Sequence, residues 1–449
     1  MSSRRIRAAT AAAAALALVL SAAACGGGGG GSSTSESSTS AGAATTSSAN
    51  VSGTVTFDGI WTGAEQKNFQ KVIAGFQQQY PKVKVKYKAV GDQLPTVLST
   101  AVAGGSPPDM ADIAQPGLIQ QFVDKGALKP IEYARSAISA NFADSWLKLG
   151  TFNDKLYGIV FKASNKSLLW YNVPVFKDAG VKAPTTWDDL QSAAKTIKAS
   201  GVTPYSIGGA DGWTLTDLFE NIYLNQAGFD SYQKLTKHQI KWTDPSVKKA
   251  LTTMGQVLQP DLIAGGTSGA LQTDFPTSVT QVYSNPPKAS MVFEGDFVAG
   301  NILSSTKAKP KTGFDVVPFP SVGSTSGNVE VGGDILVAFN DTPAIEAFVK
   351  YLATPEAARA WASQGGFATG NNKLEASVYP DAITRRTASA IAEAKNVVFD
   401  MSDQQPAAFG ATVGQGEWGI FQDFLKNPSD VDGIAKKLEQ AAAKAYKKS

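Results

Sequence analysis

The sequence is poor in the residues that most often build metal centres and nucleophilic active sites. Its 449 residues include one cysteine, Cys25, and one histidine, His238. A disulfide bond within the chain is excluded, because Cys25 has no partner. Metal sites built on several histidines and cysteines are excluded because the chain has one residue of each type. We exclude Ser–His and Cys–His catalytic pairs on the same scarcity. We therefore expect no metal, no cofactor and no catalytic residue.

Long apolar segments are also lacking, except near the start. Residues 8–20 form an uncharged, mostly apolar run that follows Arg4, Arg5 and Arg7. Such a run is too short to cross a bilayer comfortably, and a basic stretch before an apolar run and small residues is typical of an export signal. Nothing later approaches about 18 consecutive apolar residues, so we predict no membrane-spanning helix in the mature chain.

Cys25 lies directly after the apolar run and the small residues, which indicates what kind of export signal this is. The letters AAAC, residues 22–25, follow the apolar run and resemble the end of a bacterial lipoprotein signal. The resemblance implies a lipoprotein signal peptide over residues 1–25, after which Cys25 is the new N-terminus and carries acyl chains. Such signals usually have Leu three residues before the cysteine, where this chain has Ala22. Ordinary export with an incidental cysteine is the alternative.

Residues 26–50 lack the apolar surface that a folded segment needs. They are almost entirely Gly, Ser, Thr and Ala, with one charged residue, Glu36, and no aromatic residue. Burial cannot offset the entropy of ordering such a chain, so we predict a disordered tether. A Gly/Ser-rich coil of this length spans about 25–30 Å.

The mature chain has no excess of either charge. Residues 1–25 hold three of the 41 basic residues and none of the 38 acidic ones, so the remainder is neutral. Neutrality argues against a nucleic-acid partner. Residues 51–449 exceed the length of one ordinary hydrophobic core, which predicts two domains or lobes.

The first folded segment has an α/β pattern. Alternating apolar and polar residues predict strands at 51–57 and 82–90, and between them Phe69, Val72 and Phe76 recur at helical spacing. The β-α-β order favours a parallel sheet with a right-handed crossover. The lysines of KVKVKYKAV alternate with apolar residues, so we interpret them as the solvated face of a strand and not as a binding patch.

Later segments carry clear helix boundaries. Thr186 and Asp189 have the spacing of a reciprocal N-terminal cap, and Gly201 ends that predicted helix. Pro343 and Pro355 each lie in the first turn of a predicted helix. These signals support an α/β fold over the whole of residues 51–449.

Several stretches, in this order, resemble the extracellular solute-binding proteins of bacterial carbohydrate ABC importers. They are SPPDMADIAQPG; DKLYGIVF followed by LLWYNVPVFKDAGVKAPTTWDDL; MVFEGDF; VVPFP with VGGD; and FVKYLATPEAARAWASQGG. With the β-α-β opening, they cover nearly all of the folded region. The C-terminal third is most similar to the branch that binds α-glucosides.

This resemblance implies a two-lobed, periplasmic-binding-protein-like type II fold with hinge-connected lobes and a ligand between them. We expect lobe 1 at about 51–160 and 296–345, and lobe 2 at about 161–295 and 346–449. The implied function is to capture a di- or oligosaccharide and deliver it to the permease of an importer. We expect a monomer on the extracellular face of the membrane, held there by its lipid anchor alone.

The chain departs from the family pattern in three places. Asn153 begins a turn that is usually Asp-Gly-Lys, and Ile159-Val160 stands where Ile-Pro is usual. Asp296 and Phe297 follow Gly295 where the family commonly has Gly-Trp. The last change falls near the expected cleft, so the sugar cannot be inferred from other members.

A sugar site needs aromatic platforms for C–H faces, and carboxylates or amides for hydroxyls. In open α/β sheets such residues belong in loops at the carboxyl ends of strands. Our candidate ligand-binding residues are Trp61, Glu65, Asp112, Gln115, Asp211, Trp213, Glu294, Asp296, Phe297, Gly333, Asp334 and Trp418.

Some of these candidates have structural alternatives. Glu65 could serve the dipole of the helix that it begins, and Asp112 could cap a turn. Gly333 could mark a β-bulge as well as a close approach of backbone to ligand.

Two other functions stay open at this point. A glycoside hydrolase would need two carboxylates about 5–10 Å apart across the cleft, which Asp112, Glu294 and Asp296 could supply. The same fold could also bind a solute that is not a sugar.

Overall fold

The computed structural model describes residues 50–323, 327–393 and 396–447. The predicted signal peptide, Cys25 and the predicted tether up to residue 49 lie outside the described residues. No helix in the described ranges combines the length and apolar character needed to cross a membrane.

The strands alternate with helices along the chain. In chain order they are β1 (Gly53–Gly59), β2 (Val83–Ala89), β3 (Met110–Ile113), β4 (Thr151–Phe152), β5 (Lys155–Leu156), β6 (Gly158–Asn165), β7 (Leu168–Asn172), β8 (Met291–Phe293), β9 (Phe314–Pro318), β10 (Asn328–Ala338) and β11 (Asn396–Phe399).

The helices fill most of the remaining chain. They are α1 (Gly63–Gln79), α2 (Leu94–Ala103), α3 (Pro116–Asp124), α4 (Arg135–Asn141), α5 (Asp144–Leu149), α6 (Val173–Asp178), α7 (Trp187–Ala199), α8 (Trp213–Ala227), α9 (Phe229–Thr236), α10 (Pro245–Val257), α11 (Gly266–Ala270), α12 (Phe275–Tyr283), α13 (Val298–Ser305), α14 (Pro343–Leu352), α15 (Pro355–Ala362), α16 (Ala382–Glu393), α17 (Met401–Gln404), α18 (Ala407–Gly410), α19 (Gly416–Lys426) and α20 (Val431–Ala445).

The larger sheet contains β1, β2, β3, β6, β10 and β11. β1 pairs in parallel with β2 and with β3, as the β-α-β pattern predicts. β10 is antiparallel to β3 and β6, so the sheet is mixed. β3 and β11 pair with different ends of β10, and β6 lies along its other edge. We call this sheet and the helices packed on it lobe 1.

The smaller sheet has β7 between β8 and β9, with antiparallel pairing on both sides. Trp170 of β7 is fully buried against Phe314 and against helices α12 and α13. A second, mostly helical core on the other side of this sheet is built around α8, α10, α19 and α20. We call the smaller sheet and these helices lobe 2. The expected two-lobed α/β architecture is therefore confirmed.

The chain passes between the lobes where strands of the two sheets follow each other. β6 of lobe 1 runs almost directly into β7 of lobe 2. β11 pairs with β10 of lobe 1, yet its Val398 packs in the helical core of lobe 2. The ends of β6, β10 and β11 therefore meet at the boundary between the lobes.

The packing differs from the lobe boundaries that we expected. α13 and β9, expected in lobe 1, pack on the smaller sheet, and β9 pairs with β7. Most of α14 and all of α15, expected in lobe 2, bury Phe348 and Trp361 in the core of lobe 1. The reason is that helical periodicity shows which face of a helix is buried and does not show against which sheet.

The core of lobe 1 is unusually aromatic around helix α1. The rings of Trp61 and Phe69 lie 4.7 Å apart, and Trp361 meets Trp61 edge-on at 4.8 Å. Phe348 packs on Phe76 at 4.8 Å. Edge-on and tilted pairs at these distances add to the energy of burial. Helices α14 and α15 thereby hold α1 and β1 in place.

We predict that Phe348→Ala destabilises lobe 1 in particular. The fully buried ring leaves a cavity, which costs about 3–5 kcal/mol of unfolding free energy. Hydrogen exchange should speed up first in β1 and α1. Phe229→Ala, whose ring is 37 % exposed in lobe 2, is the control and should change stability by under about 0.5 kcal/mol. Loss of protection centred on β7 and α8 would contradict the packing of α14 on lobe 1.

Candidate ligand-binding site

A cavity of about 300 Å³ opens between the two lobes. Lobe 1 lines it with residues that follow β1 and β3, together with part of β10. Lobe 2 lines it with the loops that begin α8, α12 and α13. The carboxyl ends of parallel strands and the N-termini of helices are usual places for ligands in α/β proteins.

Most of the candidate residues meet at this cavity. Those that line it are Trp61, Glu65, Gln115, Asp211, Trp213, Phe297, Gly333, Asp334 and Trp418. They come from both lobes, so a ligand that contacts them would stabilise the arrangement in which the lobes approach each other.

Asp112, Glu294 and Asp296 lie behind the cavity wall. Asp112 Oδ1 accepts a hydrogen bond of 2.7 Å from the backbone N–H of Ile60, and Asp296 Oδ2 accepts one of 3.2 Å from Asn165. Glu294 accepts from the next backbone N–H in the chain. Burial raises the pKa of Asp112 and Glu294 well above their usual range and that of Asp296 to about 7. The contacts indicate that these carboxyls fix loops.

Trp61 forms part of the wall but is not a free platform. Its side chain is fully buried, and its ring packs against Phe69 and Trp361. Its indole N–H donates a 2.7 Å hydrogen bond to Asp334 Oδ2. The structure therefore differs from the expectation of an exposed ring at this loop, because the chain enters α1 directly and turns the indole into the core.

Trp213 is the aromatic residue that remains partly exposed in the cavity. It begins α8, and its ring lies 5.3 Å from that of Phe275 and 6.1 Å from that of Phe297. Gly212 precedes it with a φ of 87°, and a Cβ at Gly212 would lie 2.8 Å from the Cβ of Trp418. Only glycine allows both the positive φ and the close approach to Trp418, so this tight turn sets the direction of the Trp213 ring.

A buried lysine that sequence reasoning missed connects the lobe 1 side of the cavity. Lys162 Nζ lies 2.8 Å from Glu65 Oε1 and 3.3 Å from Asp334 Oδ2. Burial lowers the pKa of Lys162, but the charges of Asp334 and Glu65 outweigh it and raise the pKa overall. A lysine inside the apolar strand GIVFKAS was the signal that could have revealed it.

A second lysine, Lys166, lies on the lobe 2 side and is largely but not fully buried. Its ammonium contacts Asp400 and lies 3.1 Å from Asp217 Oδ2. It also lies 5.6 Å from the centre of the Trp213 ring, within range of a cation–π interaction. Burial is the main cause that raises the pKa of Asp217 to about 7. Lys166 and these two carboxylates were not among our candidates.

Two buried polar atoms on the cavity wall have no hydrogen-bond partner among the described residues. They are Oε1 of Gln115 and Nε1 of Trp418, on side chains that are 7 % and 3 % exposed. Leaving a buried polar group unpaired costs about 1–3 kcal/mol. One acceptor and one donor are therefore available to a polar ligand.

The comparisons with known proteins agree with this geometry. Residues 60–359 match the family described as bacterial extracellular solute-binding protein, which is two thirds of the chain. The chain belongs to this family. It is 31 % identical to the alpha-glucosides-binding periplasmic protein AglE of Rhizobium meliloti, over 85 % of both chains. It is 30 % identical to the osmoprotective compounds-binding protein GgtB of Synechocystis, over 79 % of this chain and 85 % of that one.

Solved structures of other receptors have the same fold. The bacterial solute receptor AcbH, which prefers β-D-galactopyranose, aligns with a TM-score of 0.77 at 20 % identity, over 88 % of this chain and 99 % of that chain. A chitin oligosaccharide binding protein aligns with a TM-score of 0.76 at 20 % identity and the same coverage. The matched relatives named here are binding proteins and not enzymes.

We predict that Trp61→Ala lowers the free energy of unfolding by about 3–5 kcal/mol, because it empties part of the lobe 1 core and removes the donor to Asp334. Urea denaturation measures this change. Trp213→Ala is the matched control: its ring is partly exposed in the cavity, so its loss should cost less, about 1–2 kcal/mol. Equal small losses in both variants would show that the Trp61 ring does not belong to the core.

Proposed function

We propose that this chain is the sugar receptor of a bacterial ABC importer, which captures a saccharide between its lobes and delivers it to a membrane permease. The observation that carries the proposal is the combination of aromatic rings and polar groups in a cavity lined by both lobes. A ligand that contacts both walls favours the closed arrangement, and the permease would recognise that arrangement.

The chemistry of the cavity suits a saccharide. Trp213, Phe275 and Phe297 offer apolar ring surface to the C–H faces of a sugar. The unpaired oxygen of Gln115 and indole N–H of Trp418 can bind hydroxyls as acceptor and donor. The candidate residues that line the cavity are therefore proposed as its ligand contacts.

The volume of the cavity bears on the length of the saccharide. About 300 Å³ is at the low end for ligand pockets, which favours a short saccharide over a long oligosaccharide. The similarity to AglE, a protein named for α-glucosides, supports an α-linked disaccharide as the ligand to test first.

The proposal is a receptor and not a glycoside hydrolase. Hydrolysis needs two carboxyl groups that flank the scissile bond. The carboxyls considered for that role, Asp112, Glu294 and Asp296, accept hydrogen bonds from backbone N–H groups behind the wall. The matched relatives named above are also binding proteins.

We further propose that the receptor is a monomer held at the extracellular face of the membrane by a lipid on Cys25. The support is the AAAC sequence after an apolar run, followed by Gly- and Ser-rich chain up to the folded region. Such a tether would let the folded part reach a permease in the same membrane.

We predict that an α-linked disaccharide raises the Tm of the folded protein. Sucrose, trehalose and maltose are tested by thermal shift beside amino acids and inorganic anions. At about 100 times its Kd, a ligand should raise the Tm by about 3–5 °C. A shift with amino acids or anions, and with no sugar, would refute the proposed ligand class. Release of glucose during incubation would refute the receptor function.

A variant of the aromatic surface of the cavity tests the same proposal. Trp213→Ala should weaken the sugar by about tenfold, because the ring loses its contact with the sugar face. Phe229→Ala removes an exposed ring of the same lobe outside the cavity and should leave the affinity unchanged.

We predict that Cys25→Ala moves the protein from the membrane fraction to the medium, because the acyl chains have no other attachment point in this sequence. Cell fractionation measures the change, and the mass of the N-terminal peptide identifies the lipid. Ser33→Ala, a change of similar size in the predicted tether, should leave the protein at the membrane. An unmodified N-terminal peptide in the parent protein would contradict lipidation.

A further inference from the structure

The cavity carries more negative than positive groups. Among the described residues, Lys162 and Lys166 are the cationic side chains that line it, and both are already paired. Lys162 is shared by Glu65 and Asp334. Lys166 is shared by Asp217 and Asp400. Each lysine thus faces two carboxylates and has no charge to spare for a further one.

A further group of carboxylates lines the cavity without a cationic partner. It consists of Asp92 on lobe 1 and of Asp211 and Asp274 on lobe 2. None has a lysine or arginine within ion-pair distance in the described part of the chain. Asp211 and Asp274 each accept one backbone N–H, from Phe275 at 2.6 Å and from the first turn of α12 at 2.8 Å. These bonds orient the two carboxylates at the N-terminus of α12, whose dipole stabilises part of their negative charge, and no cationic side chain pairs with them.

Asp92 lines the cavity from lobe 1, on the opposite side from Asp211 and Asp274. Asp92 is close enough to Asp211 that its charge helps to raise the pKa of Asp211, after burial, to about 7. Partial desolvation and the charge of Asp274 raise the pKa of Asp92 to about 6, and a hydrogen bond from the Trp213 indole lowers it. Like charges on facing lobes repel when the cleft closes. A positive group between them would remove that cost.

A bare metal ion fits this arrangement poorly. Within the described residues, the trio of acidic side chains close enough to share one ion is Asp217, Glu330 and Asp400. The ammonium of Lys166 already contacts Asp217 and Asp400. The Asp92, Asp211 and Asp274 carboxylates are not in that trio, so a larger organic ligand suits them better.

The unpaired buried atoms favour the same kind of ligand. Gln115 Oε1 lines the cavity from lobe 1 and Trp418 Nε1 lines it from lobe 2, and they need one donor and one acceptor from whatever fills the cavity. A saccharide supplies hydroxyls for both. An ammonium group on the saccharide would in addition meet the carboxylates at the cleft.

We propose that this cavity selects saccharides by charge, so that an amine-bearing saccharide binds more tightly than its neutral counterpart and a uronic acid is rejected. This inference rests on the proposed sugar-binding function. Asp211 is the central residue, because it faces Asp92 across the cleft and lies beside Trp213.

The test compares glucosamine, glucose and glucuronate by tryptophan fluorescence titration of the full folded protein at pH 7. Glucosamine should bind at least about tenfold more tightly than glucose, and glucuronate at least about tenfold more weakly. Equal affinities, or no binding of any of the three, would overturn charge selection. If α-linked disaccharides still raise the Tm in that case, the receptor function stands and only the charge inference fails.

The pH dependence has a definite sign. Because the pKa of Asp211 is raised to about 7, more of it is ionised at pH 7 than at pH 5. A sugar amine stays protonated over that range, so its affinity should rise as the pH increases from 5 to 7. The affinity of glucose should change much less. A glucosamine-to-glucose ratio that is constant over this range would contradict a role for these carboxylates.

Asp211→Asn separates charge from shape. The amide oxygen can still accept from the Phe275 N–H, so the loop keeps its bond. The advantage of glucosamine over glucose should fall by about fivefold, whatever happens to overall affinity. Asp188→Asn removes an equal charge from an exposed position of lobe 2 outside the cavity and should leave the ratio unchanged. Equal ratios in both variants would overturn the assignment to Asp211.

Discussion

The ammonium of Lys166 is the contact on which the arrangement of the two lobes depends. Lys166 lies in the short link between β6 and β7, and its backbone N–H donates to the carbonyl of Glu330 near the start of β10. Its side chain contacts Asp400, which directly follows β11. The backbone N–H of Asp400 in turn donates to Val331. One residue therefore joins the strand ends at the boundary between the lobes.

The surroundings of Lys166 show why this contact matters energetically. Burial raises the pKa of Glu220, Glu330 and Glu417 well above their usual range, whereas the pKa of Asp400 is held low by Lys166. A buried ion pair seldom adds much net stability, but losing one partner is costly because the other charge stays buried. The network therefore specifies one geometry at the hinge. Since the same ammonium lies over the Trp213 ring, the aromatic surface of the cavity is tied to that geometry.

Local signals in the sequence were sufficient to predict helices and strands, but they were insufficient to predict which residues contact each other. The capping box of Thr186 and Asp189 is present, because a cap depends on residues within one turn. Trp61 and Trp213 have the same signature, a ring in a Gly-containing loop before a helix, yet one ring fills the core and the other lines the cavity. The direction of each ring is set by partners far away in the chain, such as Asp334 for Trp61.

The charge of the cavity was the property that the sequence predicted least well. Residues 26–449 are neutral overall, which argues against a nucleic-acid partner but says nothing about the charge of one cavity. Lys162 lies in the apolar sequence of strand β6, where periodicity favours a core residue, and Lys166 lies in a short polar link between two strands. Their carboxylate partners include Asp334 and Asp400, more than 150 residues later. Net charge is a sum over all residues of the chain, whereas ligand choice depends on the few charged groups that the fold brings to one cavity. In this cavity the carboxylates outnumber the lysines.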